Sequence, residues 1–550
     1  MPVMSLLLAS LIALSITTAC MPGLQRWALR VGLTDRPGPR KVHRAPVPRV
    51  GGIAMAAGIL LPIVFMVPLA APLIGVLGGV LMLLAFGTWD DRCDLDYRVK
   101  FLGQFVAVAF CIAVGHVRIV ELTLDRSVEL PQAVSWLLTF GFLVGVTNAM
   151  NLADGLDGLA GGLALLCLCA IAVFGAICGN HLVMAVALIE SGAILGFLRF
   201  NTHPAQVFMG DGGSQVLGFS IGALSILATQ GGRTALSAAL PLLLLGLPIL
   251  DTVAVMLRRA LAGRSPFESD RSHLHHRLLD LGFAHHEAVV LIYCVQLGLF
   301  LLAYFLRFES DLLILGMFGV FSAAVLGTLR LATRLHWHAH TGRALPLASA
   351  LIARLRRPAS ARLISHGAAW LMGLGFVAYA ATVIVARRHV AGDISVLSAS
   401  MLLIVLGLSY FGFLSSLTWL ERLAAYVGII MLVYLDQTAV AKTPLLTAFT
   451  WAAVMLTAAG ALVRVLLSQT RRFEVTALDV LVAFVAVVVP NLPGLVPLPR
   501  DLPGGILKAL VLLYVVEMTE GAGTRRLVPR TLLAMLLAAV TLRGLVPLMA

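Results

Sequence analysis

The chain has 550 residues, of which 60% are hydrophobic and only 12% charged, and its mean hydropathy is +0.97. That balance excludes a large soluble enzyme and predicts an all-α, polytopic transmembrane helix bundle, since each bilayer span needs about 20 apolar residues. The net charge of +13 does not call for nucleic acid, because Lys and Arg collect in cytoplasmic loops of membrane proteins; no nucleic-acid partner is expected. Seven scattered cysteines without a CxxC pair exclude a disulfide framework or a cysteine zinc site.

About 18 apolar runs are long enough to span. The first, MPVMSLLLASLIALSITTAC, lacks the positive start of a secretion signal and is read as a retained spanning helix ending near Val31. The loop TDRPGPRKVHRAPVPRVGG is basic, hence cytoplasmic, and its prolines and glycines forbid a continuous helix. Spans two and three are expected at 53–70 and 72–87, then the loop GTWDDRCDLDYRVK and a fourth span from Phe101 to Gly115. Residues 117–130 alternate like a short hairpin on the opposite side. The fifth span leads into NAMNLADGLDGLAGG (148–162), a polar break with two acids, two amides and four glycines. The sixth and seventh spans end near Ile177 and Leu198, the eighth and ninth fall at 215–229 and 235–257, and the tenth and eleventh end near Leu329. Counting crossings puts the polar loops 31–52, 87–100, 148–158, 199–214 and 258–286 on one face, as a site at a membrane surface requires.

Residues 1–330 are thus read as the membrane-embedded working domain, 331–362 as a basic cytoplasmic linker, and 363–550 as about seven further spans. The last region shows few acids and no polar cluster, which argues against a second active site and suits an interaction or lipid-handling module.

The loops carry the chemistry. Carboxylates recur at span ends beside glycines: Asp90 and Asp91, Asp154 and Asp157, and Asp211. Grouped acids raise one another's pKa unless a cation joins them, and oxygen-only ligands suit Mg2+, or Mn2+. Asp94 and Asp96 are read as helix caps or solvated acids. The glycines of MGDGGS and LADGLDGLAGG, next to acids and before helices, suggest phosphate held by helix N-termini. His273, His275 and His276 fit no zinc spacing and suit a polyanionic substrate.

The motifs DRPGPRKVHRAPVPRVGG, DDRCDLDYRVKFLGQ, NAMNLADGLDGLAGG, FNTHPAQVFMGDGGSQ, LPILDT and SDRSHLHHRL, in that order, resemble the polyprenyl-phosphate N-acetylhexosamine-1-phosphate transferases of glycosyltransferase family 4 over about residues 1–330. The resemblance implies transfer of a sugar 1-phosphate from a UDP-N-acetylhexosamine to undecaprenyl phosphate at the cytoplasmic face of a bacterial inner membrane, with release of UMP. It implies Mg2+ at Asp211 with Asp91, and catalytic roles for Asp90, Asp91, Asp154 and Asp157. Asp90 is the candidate proton acceptor, and a covalent aspartate stays open. Substrate contacts fall on Lys41, His43, Lys100, Asn148, Asn151, Asn201, His273, His275 and His276. His-Leu-His-His resembles the GlcNAc-type pattern rather than the MurNAc-pentapeptide branch, the nearest alternative. A homodimer is compatible with the family. The competing class, a secondary transporter, would place paired acids at the bilayer midplane in two similar halves. Here they lie at span ends without visible repeats.

Overall fold

A computed structural model describes residues 3–35, 46–124, 127–230, 234–263, 273–339, 358–386, 390, 392–410, 418–437, 443–467, 504–505, 508–509, 511–512 and 534–543. It is helical almost throughout, and ten of the described helices are long and apolar enough to cross a membrane. The chain divides into two compact units, one built on Met1–Gly342 and the other on Arg343–Val475 with later segments.

In the first unit, α1 (Val3–Val31), α2 (Gly51–Met66), α3 (Ala71–Cys93), α4 (Tyr97–Gly115), α5 (Gln132–Ala153), α6 (Leu159–Ile177), α7 (His181–Asn201) and α8 (Gly210–Thr229) follow the first eight apolar runs. The expected ninth span is instead two helices, α9 (Leu240–Leu244) and α10 (Gly246–Leu261), interrupted at Leu245. Pro241 and Pro248 each remove an amide donor from this segment, so one unbroken ladder cannot form. After α11 (Leu274–Asp280) come α12 (His285–Phe305) and α13 (Asp311–Arg334). The spanning windows of α6 and α8 are 89% and 94% buried, so these are the central helices, whereas α13, at 11%, is peripheral.

Two small hairpins punctuate the bundle. β1 (Thr34–Asp35) pairs antiparallel with β2 (Val47–Pro48) across the first loop. β3 (Glu121–Thr123) pairs with β4 (Ser127–Glu129), where the alternation predicted a hairpin. Asp96 caps α4, its side chain accepting the Arg98 N–H at 2.9 Å, and Asp94 ends α3 with a left-handed φ of 49°.

Several helices run further than expected. α3 continues past residue 87, so Asp90 and Asp91 sit on its last turns, and α5 continues to Ala153, so Asn148 and Asn151 are helical. Small residues let these ends converge. A Cβ on Gly87 would strike the main chain of Gly212, and one on Gly52 that of Gly213. The start of α8 is therefore wedged between α2 and α3.

In the second unit, helices Pro358–Ala386, Gly392–Tyr410, Thr418–Gln437 and Pro444–Leu467 enclose an apolar core around Tyr379, Leu432 and Leu512. A polar cluster lies within it, contrary to the expectation from sequence. Lys508 Nζ is 2.7 Å from Asp436 Oδ2 and donates to Thr450 Oγ1 at 3.0 Å, while Tyr379 Oη donates to the same Asp436 oxygen at 3.3 Å. Isolated acids and bases in a composition string do not reveal that helices distant in sequence pair them.

Candidate active site

The polar segments at helix ends of the first unit meet. Gly51 and Gly52 N–H donate to the carbonyls of Phe208 and Met209 at 3.0 and 2.9 Å, stitching the first loop to the one before α8. Asp91, from α3, accepts the N–H groups of Asp211 and Gly212 on its two carboxylate oxygens at 2.9 and 3.2 Å. Arg49 Nη1 lies 3.6 Å from the same carboxylate and also pairs with Asp35. Burial opposes the Arg49 charge, but Asp35, Asp91 and Asp211 outweigh it and raise the guanidinium pKa.

With one α8 N–H on each of its oxygens, Asp91 serves as the cap of that helix. The glycines of MGDGGS close the packing of three helices, and two of the first N–H groups of α8, those of Asp211 and Gly212, already serve Asp91.

Beside this cap lies an ammonium between two acids. Lys100 Nζ is 2.6 Å from Asp90 Oδ2 and 3.3 Å from Asp211 Oδ2. Asn151 Nδ2 donates to Asp211 Oδ1 at 3.2 Å and to Ser214 Oγ at 2.8 Å, which fixes the α5 end against α8. Asp154, one turn on, is pushed up to about 7, first by burial and then by the charges of Asp211, Asp91 and Asp157. Asp211 and Asp154 offer only carboxylate oxygens and carry excess negative charge, and Lys100 occupies the position of a cation between acids. These residues fit Mg2+.

Asn148 and Asn201 spend their polar atoms on the protein. Asn148 exchanges hydrogen bonds with Gln104 at 2.7 and 3.2 Å, and Gln104 Nε2 also donates to Gln215 Oε1 at 3.3 Å. Asn201, buried, accepts the Gly158 N–H at 2.9 Å and donates to the Val207 carbonyl at 2.9 Å. Both hold the site's walls rather than face a substrate. Gly158 takes φ +82° at the start of α6, and its carbonyl accepts the buried Tyr293 hydroxyl at 2.6 Å.

The histidines form a second wall. Asp251 of α10 accepts His273 Nδ1–H at 2.9 Å and the Leu274 N–H at 2.7 Å, so it orients the imidazole and caps α11 together. His275 stacks on His273 with ring centroids 5.8 Å apart, and it lies so close to Gly155 that a Cβ there would collide with its ring. Burial, then His276, pulls His275 down to about 3, so it is neutral at physiological pH. Asp157 contacts another pair of segments: its Oδ2 lies 2.7 Å from His203 Nδ1 and accepts the Ala205 N–H at 3.1 Å. Lys41 and His43 lie outside the described residues.

An apolar cavity of about 520 Å³ opens along α3, lined by Trp27, Val31, Leu33, Ile53, Thr88 and Trp89 among others. Sequence reading passed over Arg49, Gln104, Asp251's partnership with His273, and Tyr293. Arg49, Gln104 and Asp251 each carried a signal, their places in the first, second and LPILDT motifs, whereas Tyr293 lies in an apolar run outside every motif.

Comparison with known proteins places the chain by sequence. The pattern of glycosyl transferase family 4 matches residues 73–229. A probable undecaprenyl-phosphate N-acetylglucosaminyl 1-phosphate transferase of Bacillus subtilis (strain 168) is 35% identical over 294 residues, 53% of this chain and 82% of the relative. A decaprenyl-phosphate N-acetylglucosaminephosphotransferase of Mycolicibacterium smegmatis is 38% identical over 325 residues, 53% of this chain and 80% of its own. The undecaprenyl-phosphate alpha-N-acetylglucosaminyl 1-phosphate transferase of Escherichia coli (strain K12) is 31% identical over 285 residues, 50% and 77% respectively. With the motifs, the membrane helices and these relatives together, the chain belongs to glycosyl transferase family 4.

Proposed function

We propose that the protein transfers GlcNAc-1-phosphate from UDP-GlcNAc to undecaprenyl phosphate at the cytoplasmic face of a bacterial inner membrane, releasing UMP and starting a surface glycan. The observation that carries this reading is the Lys100 ammonium held between Asp90 and Asp211, within a site whose other members are acids, amides and neutral imidazole. Two anionic phosphates must meet, so positive groups have to hold them and negative groups have to manage protons and a cation.

In this reading a lipid phosphate oxygen attacks the β-phosphorus of the UDP-sugar. A new phosphorus–oxygen bond forms, the α–β anhydride bond breaks, and UMP departs with the bond's electron pair. Lys100, partly exposed, holds the incoming lipid phosphate, and Asp90, 2.6 Å from it, takes that phosphate's proton. His273, oriented through Nδ1 by Asp251, presents Nε2 to the pyrophosphate or sugar. Asp211 and Asp154 would hold Mg2+, which when bound neutralises phosphate oxygens in the transition state. The apolar cavity between α1, α2 and α3 offers the polyprenyl chain a path beside Trp89, the residue before Asp90.

Purified protein incubated with undecaprenyl phosphate, Mg2+ and a panel of UDP-sugars should release UMP from UDP-GlcNAc and not without the lipid. Silence with every donor would overturn the reading.

A further inference from the structure

Asp157 is set apart from the acids around Lys100 by its neighbours. His203, from the loop between α7 and α8, and His285, the first residue of α12, converge on it from elements far apart in sequence. One ligand atom from each of the three residues lies within 4.8 Å of the other two. The two imidazoles stack with centroids 4.3 Å apart and planes 23° from parallel. The Ala205 N–H, donated to Asp157 Oδ2 at 3.1 Å, fixes the carboxylate in place.

His285 adds an independent sign. Its Nε2 is buried without a hydrogen-bond partner among the described residues. A buried ring nitrogen without a partner is a cost that proteins avoid, and an imidazole nitrogen so placed is one that a metal ion can satisfy.

We propose that Asp157, His203 and His285 form a transition-metal site for one Zn2+ ion, separate from the oxygen set that fits Mg2+. Two imidazole nitrogens and one carboxylate oxygen are a borderline donor set that Zn2+ accepts and Mg2+ does not favour. Tetrahedral coordination at 2.0–2.1 Å would put the His203 nitrogen and the Asp157 oxygen about 3.3 Å apart. They stand 2.7 Å apart with a proton between them. Binding thus displaces that proton and opens the pair by a fraction of an ångström, which the exposed His203 can supply. The fourth position stays open to water or to a ligand oxygen. An ion here would tie the α5–α6 turn, the α7–α8 loop and the head of α12 together.

The test uses full-length, tag-free protein in nanodiscs, stripped with chelator and titrated with Co2+ and Zn2+. The expected result is one Co2+ per chain with the intense visible absorption of a four-coordinate site, displaced by one Zn2+ and unaffected by millimolar Mg2+. Zn2+ should also raise Tm. His203→Gln and His285→Gln should each weaken the Co2+ affinity at least tenfold, while His276→Gln, in the other histidine group, should leave it unchanged. Wild-type protein that binds no Co2+ stoichiometrically would overturn the proposal, whether or not the variants fold. Binding that survives both substitutions, or that His276→Gln abolishes, would overturn it equally.

Discussion

Asp154 sits among Asp211, Asp91 and Asp157, and burial together with those charges lifts its carboxyl from 3.8 to about 7. Its folded pKa lies above its unfolded one, so its contribution to stability is complete below about pH 4 and is lost as pH rises through about 7. Metal-free protein should accordingly lose Tm between about pH 4 and pH 7, and Asp154→Asn should flatten that slope. Mg2+ should raise the wild-type Tm more at the upper end of that range than at the lower, because a divalent cation removes the repulsion that keeps the proton on. A slope identical in wild type and Asp154→Asn would show that this carboxyl does not report the acidic group. At the same scale, Asp90→Asn should lower kcat by about 10²–10⁴-fold if Asp90 accepts the lipid phosphate's proton. Asp211→Asn should cost orders of magnitude as well, by loosening Lys100 and the cation together. Near-normal UMP release from either variant would mean the acids are misassigned.

At the scale of the helix, function depends on how closely three ends can approach. Gly87 of α3 faces Gly212 of α8, and Gly52 of α2 faces Gly213, with no space for a Cβ between main chains. Gly87→Ala should therefore destabilise the protein by about 1–3 kcal/mol and reduce activity, since it separates the ends that bear Asp90 and Asp211. Gly141→Ala, in α5 with nothing near its Cβ position, should keep activity and leave thermal unfolding unchanged or slightly raised. Equal effects at the two positions would argue against close packing as the reason for these glycines. The contrast also marks what the sequence made legible. Hydropathy located the first eight helices, and the motifs named the acids that meet around Lys100. Hydropathy could not say that α3 and α5 continue through their polar ends, because a helix there is set by tertiary hydrogen bonds such as Asn151 to Ser214. Nor could it show that Asn148 and Asn201 turn inward, or that Asp91 caps α8, since those partners are far away along the chain.

At the scale of the whole molecule the two units invite separate tests, because each encloses its own buried core. A chain ending after Gly342 contains every residue placed in the active site and should still release UMP; a well-folded but inert truncation would mean that the second unit supplies part of the chemistry. Within that second unit, the Lys508–Asp436 pair governs stability in an asymmetric way. Both side chains are buried, and the ammonium also lies 5.0 Å from the centre of the Trp451 ring. Taking two charges out of water costs about as much as their attraction returns, so the intact pair is not a large net gain. Removing one partner is different, because the other charge is left without compensation in an apolar core. Lys508→Met should thus destabilise the second unit by about 3–5 kcal/mol, and Asp436→Leu by a similar amount. The double variant should recover most of that loss, since two apolar side chains of similar volume need no partners. Calorimetry on the full-length protein would follow this, with UMP release as the parallel measurement. A double variant as unstable as the sum of the singles would show that Thr450 and Tyr379, which also bond to the pair, require its charges.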